Sequence, residues 1–252
     1  MNARDLTLTP AATDRPWLRL QAAGAPACTD CGVRQIALFA ALDDEALPAA
    51  LDHVHPLRLA AGDTLLRAGQ RVESLYTVRR GLLRVERFTE AGERRIVRLV
   101  GAGSLVGAEA LSETPARDDL VACTPVELCR LSRHLFPAHT EAGQALRLAV
   151  LGQAQRDLEA MTQAAMHFTR GPVRSRLLHL LALLARHADA EGVSWLPRRD
   201  EISDLLDITV PTASRQLSAL REAGVVRVLS QHKLRIDAAA VRQALQAQAL
   251  AD

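Results

Sequence analysis

The chain has 252 residues, a formal net charge of +2 and a mean hydropathy of +0.02, with 48% hydrophobic and 24% charged residues. This is the composition of a globular protein with room for one large domain or two ordinary ones, and it excludes a strongly polybasic or polyacidic character. No apolar signal region opens the chain, and the longest apolar stretch, residues 177–185, is too short to span a bilayer, so a cytoplasmic protein with no membrane partner and reduced cysteines is expected.

Residues 1–27 are polar, proline-punctuated and aperiodic, and are predicted to form a mobile leader. A CxxC pair, Cys28 and Cys31, follows at once. Over 28–140 the pattern predicts a compact β region. Short apolar runs of strand length alternate with Gly62, Gly69, Gly81, Gly92, Gly101, Gly103 and Gly107, with partial period-two alternation (Leu83, Val85; Ile96, Leu99). TEAGE at 89–93 reads as a hairpin turn, and the whole as an antiparallel β-roll.

From 141 to 168 the period becomes helical. Leu151, Ala154, Leu158, Met161, Ala165 and Phe168 alternate steps of three and four, a heptad-like seam that Leu146 and Val150 extend toward its start. A long helix with such a seam must bury it, and a parallel homodimer does so economically; the alternative is packing on its own β-roll. Arg170-Gly171-Pro172 then breaks the helix, and Leu177, Leu180, Leu181 and Leu184 mark the core side of the next.

Residues 169–252 carry the clearest chemistry. Ile202, Leu205 and Leu206 give one short helix an apolar side, a break falls at Asp207-Ile208, and Thr209 is placed to N-cap a second helix with Pro211 in its first turn. Val210, Leu217 and Leu220 are expected to face inward, with Thr212, Arg215, Gln216 and Ala219 outward. Gly224 ends the helix. Two short strands joined by Ser230, Gln231, His232 and Lys233, the last being the only lysine in the chain, then form a wing. Such a helix fits the major groove. Arg215 can pair with guanine through two hydrogen bonds, while Thr209, Thr212, Ser214, Gln216, His232 and Lys233 are candidates for further contacts, mainly to phosphates. Over 170–235 there are eleven Arg and Lys against seven Asp and Glu, while the rest of the chain is net acidic.

The run from Gly62 to Val85 (GDTLLRAGQRVESLYTVRRGLLRV), the long helix and the ITVPTASR segment together resemble the CRP/FNR family of bacterial transcription regulators, over about residues 28–236. The resemblance implies an α+β chain: an N-terminal antiparallel β-roll like that of cyclic-nucleotide-binding domains, a long dimerisation helix, and a C-terminal winged helix-turn-helix. It also implies a homodimer on double-stranded DNA with a two-fold symmetric site, acting with RNA polymerase.

What the roll senses is less direct. Cyclic-AMP-binding members place a Glu just after a glycine and an Arg-Ser pair further on. Here Ala108 follows Gly107, and Asp118 and Asp119 occupy the later positions, where two carboxylates would repel a phosphate and argue against cyclic AMP in that mode. Arg117 lies one residue out of register. The redox-sensing branch holds an iron–sulfur cluster with an N-terminal CxxC, a third cysteine six positions on, and one cysteine in the roll. Cys28, Cys31 and Cys129 match three of these ligands, but Ala37 stands at the third N-terminal place. The fourth ligand is open, with Asp30 and Cys123 as alternatives; on one straight strand Cys123 and Cys129 would lie about 20 Å apart, so Cys123 requires the chain to fold back at Thr124-Pro125.

Other readings of the thiols also stand: buried packing residues, or a Cys28–Cys31 thiol–disulfide switch. A thioredoxin-like site lacks its flanking fold, and structural zinc lacks a second ligand pair. Isolated His53, His55 and His134 are weak grounds for haem. Pro211 stands where relatives commonly carry a Glu that accepts from cytosine, so a changed or relaxed base preference next to the guanine of Arg215 is expected. A sequence-specific regulator responding to oxygen or redox state is the leading expectation. The alternative is a small-molecule effector-binding regulator or binding module with no metal cluster. No triad, hydrolase metal motif or phosphate loop points to an enzyme.

Overall fold

In a computed structural model of the chain, residues 38–42 and 50–249 are described; the CxxC with Asp30 and Ala37 lies outside them. Eight strands make two four-stranded antiparallel sheets. One has the order β1 (Val54–Leu59), β8 (Val126–Ser132), β3 (Ser74–Arg80), β6 (Leu105–Val106). The other has the order β2 (Thr64–Leu66), β7 (Asp119–Ala122), β4 (Leu83–Phe88), β5 (Arg94–Val100). The turn expected at 89–93 joins β4 to β5: Thr89 N–H donates to the Glu93 carbonyl (2.9 Å), and Gly92 supplies the φ of +78° that the turn requires. A short helix, α1 (Glu109–Ser112), follows β6.

Helix α2 runs from Glu141 to Thr169, N-capped by the Thr140 hydroxyl, which accepts from Gly143 N–H at 3.1 Å. Its two halves do different work. Gly143, Leu146 and Val150 are buried against the roll. Beyond them Leu151, Ala154, Leu158, Met161 and Ala165 stand along one stripe and are exposed among the described residues. Two expectations are corrected here. Leu146 and Val150 do not extend the seam, because the roll already covers that turn of the helix. Phe168, at the seam's other end, packs on the core of the C-terminal region.

After Gly171 (φ +83°), Pro172 N-caps α3 (Val173–Arg186). Then come β9 (Val193–Trp195), α4 (Arg199–Leu206), α5 (Val210–Glu222), β10 (Val226–Ser230), β11 (Lys233–Ile236) and α6 (Ala238–Ala249), with the strands ordered β10-β11-β9. Leu177, Leu178, Leu180, Leu181 and Leu184 line one side of α3 and build a second core with Ile202, Leu206, Leu217 and Leu220. That core also takes Leu82, Ile96 and Cys123 from the outer face of the roll, so the two halves of the chain share it. Among the described residues no helix is long and apolar enough to cross a membrane.

Candidate nucleic-acid interface and sensor site

Helix α4 ends at Asp207, whose φ of +50° turns the chain, and Thr209 begins α5 with Pro211 in its first turn. Thr209 Oγ1 accepts from Thr212 N–H (3.4 Å) and shares a hydrogen bond with the Thr212 hydroxyl (2.9 Å), and that hydroxyl also accepts from Arg215 Nη2 (3.2 Å). The cap therefore steers the arginine as well as starting the helix. Pro211 and Arg215, one turn apart, are exposed, while Thr212, Ser214 and Gln216 are half-buried. The inward stripe is Ala213, Leu217 and Leu220. Val210, expected to face inward, is 42% exposed: the first turn of α5 overhangs the core, and Ala213 fills the contact with α4.

The wing places exposed His232 and Lys233 at the tip of β10 and β11, held to the body by Leu196 N–H donating to the His232 carbonyl (3.0 Å). Burial, followed by the charge of Arg221, lowers the pKa of Arg199 at the start of α4. Arg221, in the last turn of α5, and Arg199, at the start of α4, add positive charge to the helix pair, and neither was among the residues expected to contact DNA.

In the roll, Cys129 lies on β8 between Pro56 of β1 and Thr77 of β3, each directly opposite it. Cross-strand partners share a face, so the Cys129 thiol and Thr77 hydroxyl point to the same side of the sheet. Thr77 is 3% exposed, and its Oγ1 has no hydrogen-bond partner among the described residues. It lines a cavity of about 480 Å³ with Leu38, Ala41, Ala149 and Gln153. Cys123 is not brought to this site. It follows β7 and sits in the second core beside Arg84, whereas Cys129 belongs to the core of the roll. The chain crosses from one sheet to the other at Thr124-Pro125, and this carries the two thiols into separate interiors, which removes Cys123 as a fourth ligand. Burial, only partly offset by the neighbouring Arg84, pushes the Cys123 thiol up to about 12. Among the described residues no group of three or more His, Cys, Asp or Glu is placed to hold a metal ion. His53, His55 and His134 are all exposed.

A second cavity, about 430 Å³, lies between the β2–β5 sheet and α2, with Leu66, Val85, Leu120 and Val150 among its apolar walls. Gly107 belongs to it, with φ +81° and no room for a Cβ, which would come within 2.6 Å of the Ser74 carbonyl. Of the two carboxylates expected to face a phosphate there, Asp118 does line the cavity and pairs with Arg87 (2.6 and 3.0 Å). Asp119 instead accepts from Ala68 N–H (2.7 Å). Glu109 adds another carboxylate, and Arg98 reaches across to Asp157 of α2 (3.1 Å). Arg98 and Asp157 are 59 residues apart, and no local pattern pairs them.

Comparisons with known proteins agree with this geometry. Residues 56–139 match the family model described as a cyclic nucleotide-binding domain, and 175–243 match a Crp-like helix-turn-helix domain. The transcriptional activator protein FnrL of Cereibacter sphaeroides is 29% identical over 209 residues, covering 79% of this chain and 83% of its own. The fumarate and nitrate reduction regulatory protein of Escherichia coli is 25% identical over 220 residues, covering 83% and 87%. Among solved structures, FixK2 from Bradyrhizobium japonicum superposes with a TM-score of 0.63 at 18% identity, covering 75% of this chain and 96% of that one, which shows the shared fold.

Proposed function

The chain belongs to the CRP/FNR family of bacterial transcription regulators, and from that premise we propose that it is a cytoplasmic, redox- or oxygen-responsive regulator whose residues 28–140 sense the signal, 141–168 pair two protomers and 169–252 read DNA. As a member of the family it is a DNA-binding regulator that works as a homodimer with RNA polymerase, not an enzyme. In this reading Arg215 takes a guanine edge and the apolar Pro211 relaxes the neighbouring base pair. Thr212, Ser214, Gln216, His232 and Lys233 secure the backbone, and Thr209 acts chiefly through its cap. The single supporting observation is the exposed Pro211–Arg215 face, one turn long, beside an exposed wing tip.

For the signal, we propose that Cys28, Cys31 and Cys129 hold an iron–sulfur cluster, with Asp30 or another non-cysteine group as the fourth ligand. The reading is supported by the place of Cys129: Thr77, its cross-strand neighbour, opens on the same cavity as Leu38, and Cys31 precedes Leu38 by seven residues, a span of at most about 25 Å when extended. The buried hydroxyl of Thr77 has a hydrogen to donate to a thiolate or sulfide there. A cluster of this kind, when bound, supplies sensitivity to oxygen. Names such as "anaerobic regulatory protein", carried by a relative from Haemophilus influenzae, point the same way. Anaerobic purification followed by a visible spectrum and iron and sulfide assays, before and after brief air exposure, tests it. Cys129→Ser should lose iron, and Cys123→Ser should retain it. A colourless, iron-free wild-type dimer that binds DNA equally in both states would end the cluster reading. The cavity against α2 supports a second reading, in which a small and largely apolar effector, rather than cyclic AMP, is bound by the roll.

A further inference from the structure

The seam between the roll and the reading unit contains a buried ionic cluster. Glu86 of β4 and Glu201 of α4 are only 5% and 3% exposed. Two arginines of the roll lie between them. Arg84 Nε donates to Glu86 Oε1 at 2.5 Å, and Arg94 Nη1 to the same oxygen at 2.9 Å. Both guanidinium groups also approach Glu201 Oε1, at 3.9 and 3.8 Å. The other oxygen of Glu201 accepts from the backbone N–H of Arg198 (2.8 Å), the N-cap residue of α4. One carboxylate thus caps the first helix of the helix-turn-helix and ties it to the sheet of the roll.

Strand β5 is held at a second point. Arg98, four residues after Arg94 but turned to the inner face by the bulge at Val97, which leaves it opposite Val85, pairs with Asp157 of α2, whose carboxylate also accepts from Gln153 Nε2 at 2.8 Å. That pair lines the 430 Å³ cavity. One strand therefore links the cavity and the dimerisation helix, through Arg98, to the start of α4, through Arg94. Only Asp207, Ile208 and Thr209 separate α4 from α5, and Leu206, Ala213 and Leu217 pack the two helices into one body, so a rotation of α4 carries α5 with it. Replacing such a cluster by apolar residues is often neutral for stability, so its value here lies in geometry: charges fix one orientation where an apolar seam would permit sliding.

We infer that Arg94 and Glu201 are positioning residues for DNA reading: they set the angle of the reading unit on the roll, and through β5 they connect that angle to the cavity and the dimerisation helix. The inference rests on DNA reading by α5 and is independent of any iron–sulfur cluster.

The test uses a duplex selected from a random pool by the wild-type dimer, and the same duplex with one half scrambled. Arg94→Gln and Glu201→Gln remove charge, and in the second variant the new amide oxygen can still accept the capping hydrogen bond. If these residues set the placement of two reading helices relative to each other, each variant loses about tenfold in affinity for the full site and less than about twofold for the half-scrambled one. The double variant is no worse than the weaker single, because both break one cluster. Equal losses on the two duplexes, or losses that multiply in the double variant, would overturn the inference. Should Glu201→Gln misfold, Arg98→Gln, which leaves the start of α4 untouched, carries the test: full-site binding should again fall selectively, and wild-type binding to both duplexes would overturn it. Failure of the wild type to retain any duplex would refute the DNA reading itself.

Discussion

Helix α2 presents two side chains of similar size and exposure on different faces. Leu158 is 65% exposed and lies on the seam; Met166 is 60% exposed and lies one position past the seam residue Ala165. Leu158→Ala removes three carbons, each contributing about 0.8 kcal/mol when fully buried. Scaled by the exposed fraction that a partner helix can still cover, the loss is ~1.5 kcal/mol per protomer and ~3 kcal/mol per two-fold dimer, or about two decades in dimer dissociation constant. Sedimentation equilibrium over a concentration series measures it. Met166→Ala serves as the control and should leave dissociation within about threefold of wild type, because position rather than apolar area decides. Equal weakening by the two variants would refute the heptad assignment, and no weakening by Leu158→Ala would refute a seam through this face.

Two further outcomes follow from the geometry. Arg215→Ala should cost about 1–3 kcal/mol at one base pair and relax selection there, whereas Lys233→Ala should weaken all sequences alike and reduce the slope of log affinity against log salt by about 1; selection from random duplexes and salt titration separate the two. Cys123, with its thiol pushed from 9.0 up to about 12, should resist alkylation at pH 8 until the chain unfolds. Because its folded value is raised, the stability it contributes is complete below pH 9 and falls as pH rises toward 12, a dependence that Cys123→Ala should flatten in denaturant titrations.

Features with local chemistry were the ones legible in the sequence. Thr209, Pro211 and Gly224 bracket α5 because a cap, a missing N–H and a left-handed residue each act within a turn of the chain. The hairpin at 89–93 was legible for the same reason. What failed was the identification of partners. Leu146 and Val150 carry the period of the seam, and nothing in that period says whether a roll or a second helix will cover them. Ala213, fully buried in α5, is too small to register as hydrophobic beside Val210. The burial of Glu201 was not legible because, apart from Arg198 three residues before it, its ion-pair partners Arg84 and Arg94 arrive from more than one hundred positions earlier. The separation of Cys123 from Cys129 depends on a crossing between sheets that six residues of sequence do not encode.

The shared second core also bears on how the protein is made. Leu82, Ile96 and Cys123 leave the ribosome long before Leu177, Ile202 or Leu220, which cover them. A nascent chain that has reached the end of α2 can close the interior of the roll, yet it carries an uncovered apolar patch on its outside and a bare stripe along its helix. Each surface waits for something the nascent chain does not yet have: the patch for the last third of its own sequence, the stripe for another finished copy. Maturation is thus ordered by synthesis first and by concentration second, and the interval between them is when this regulator is most exposed to aggregation and proteolysis.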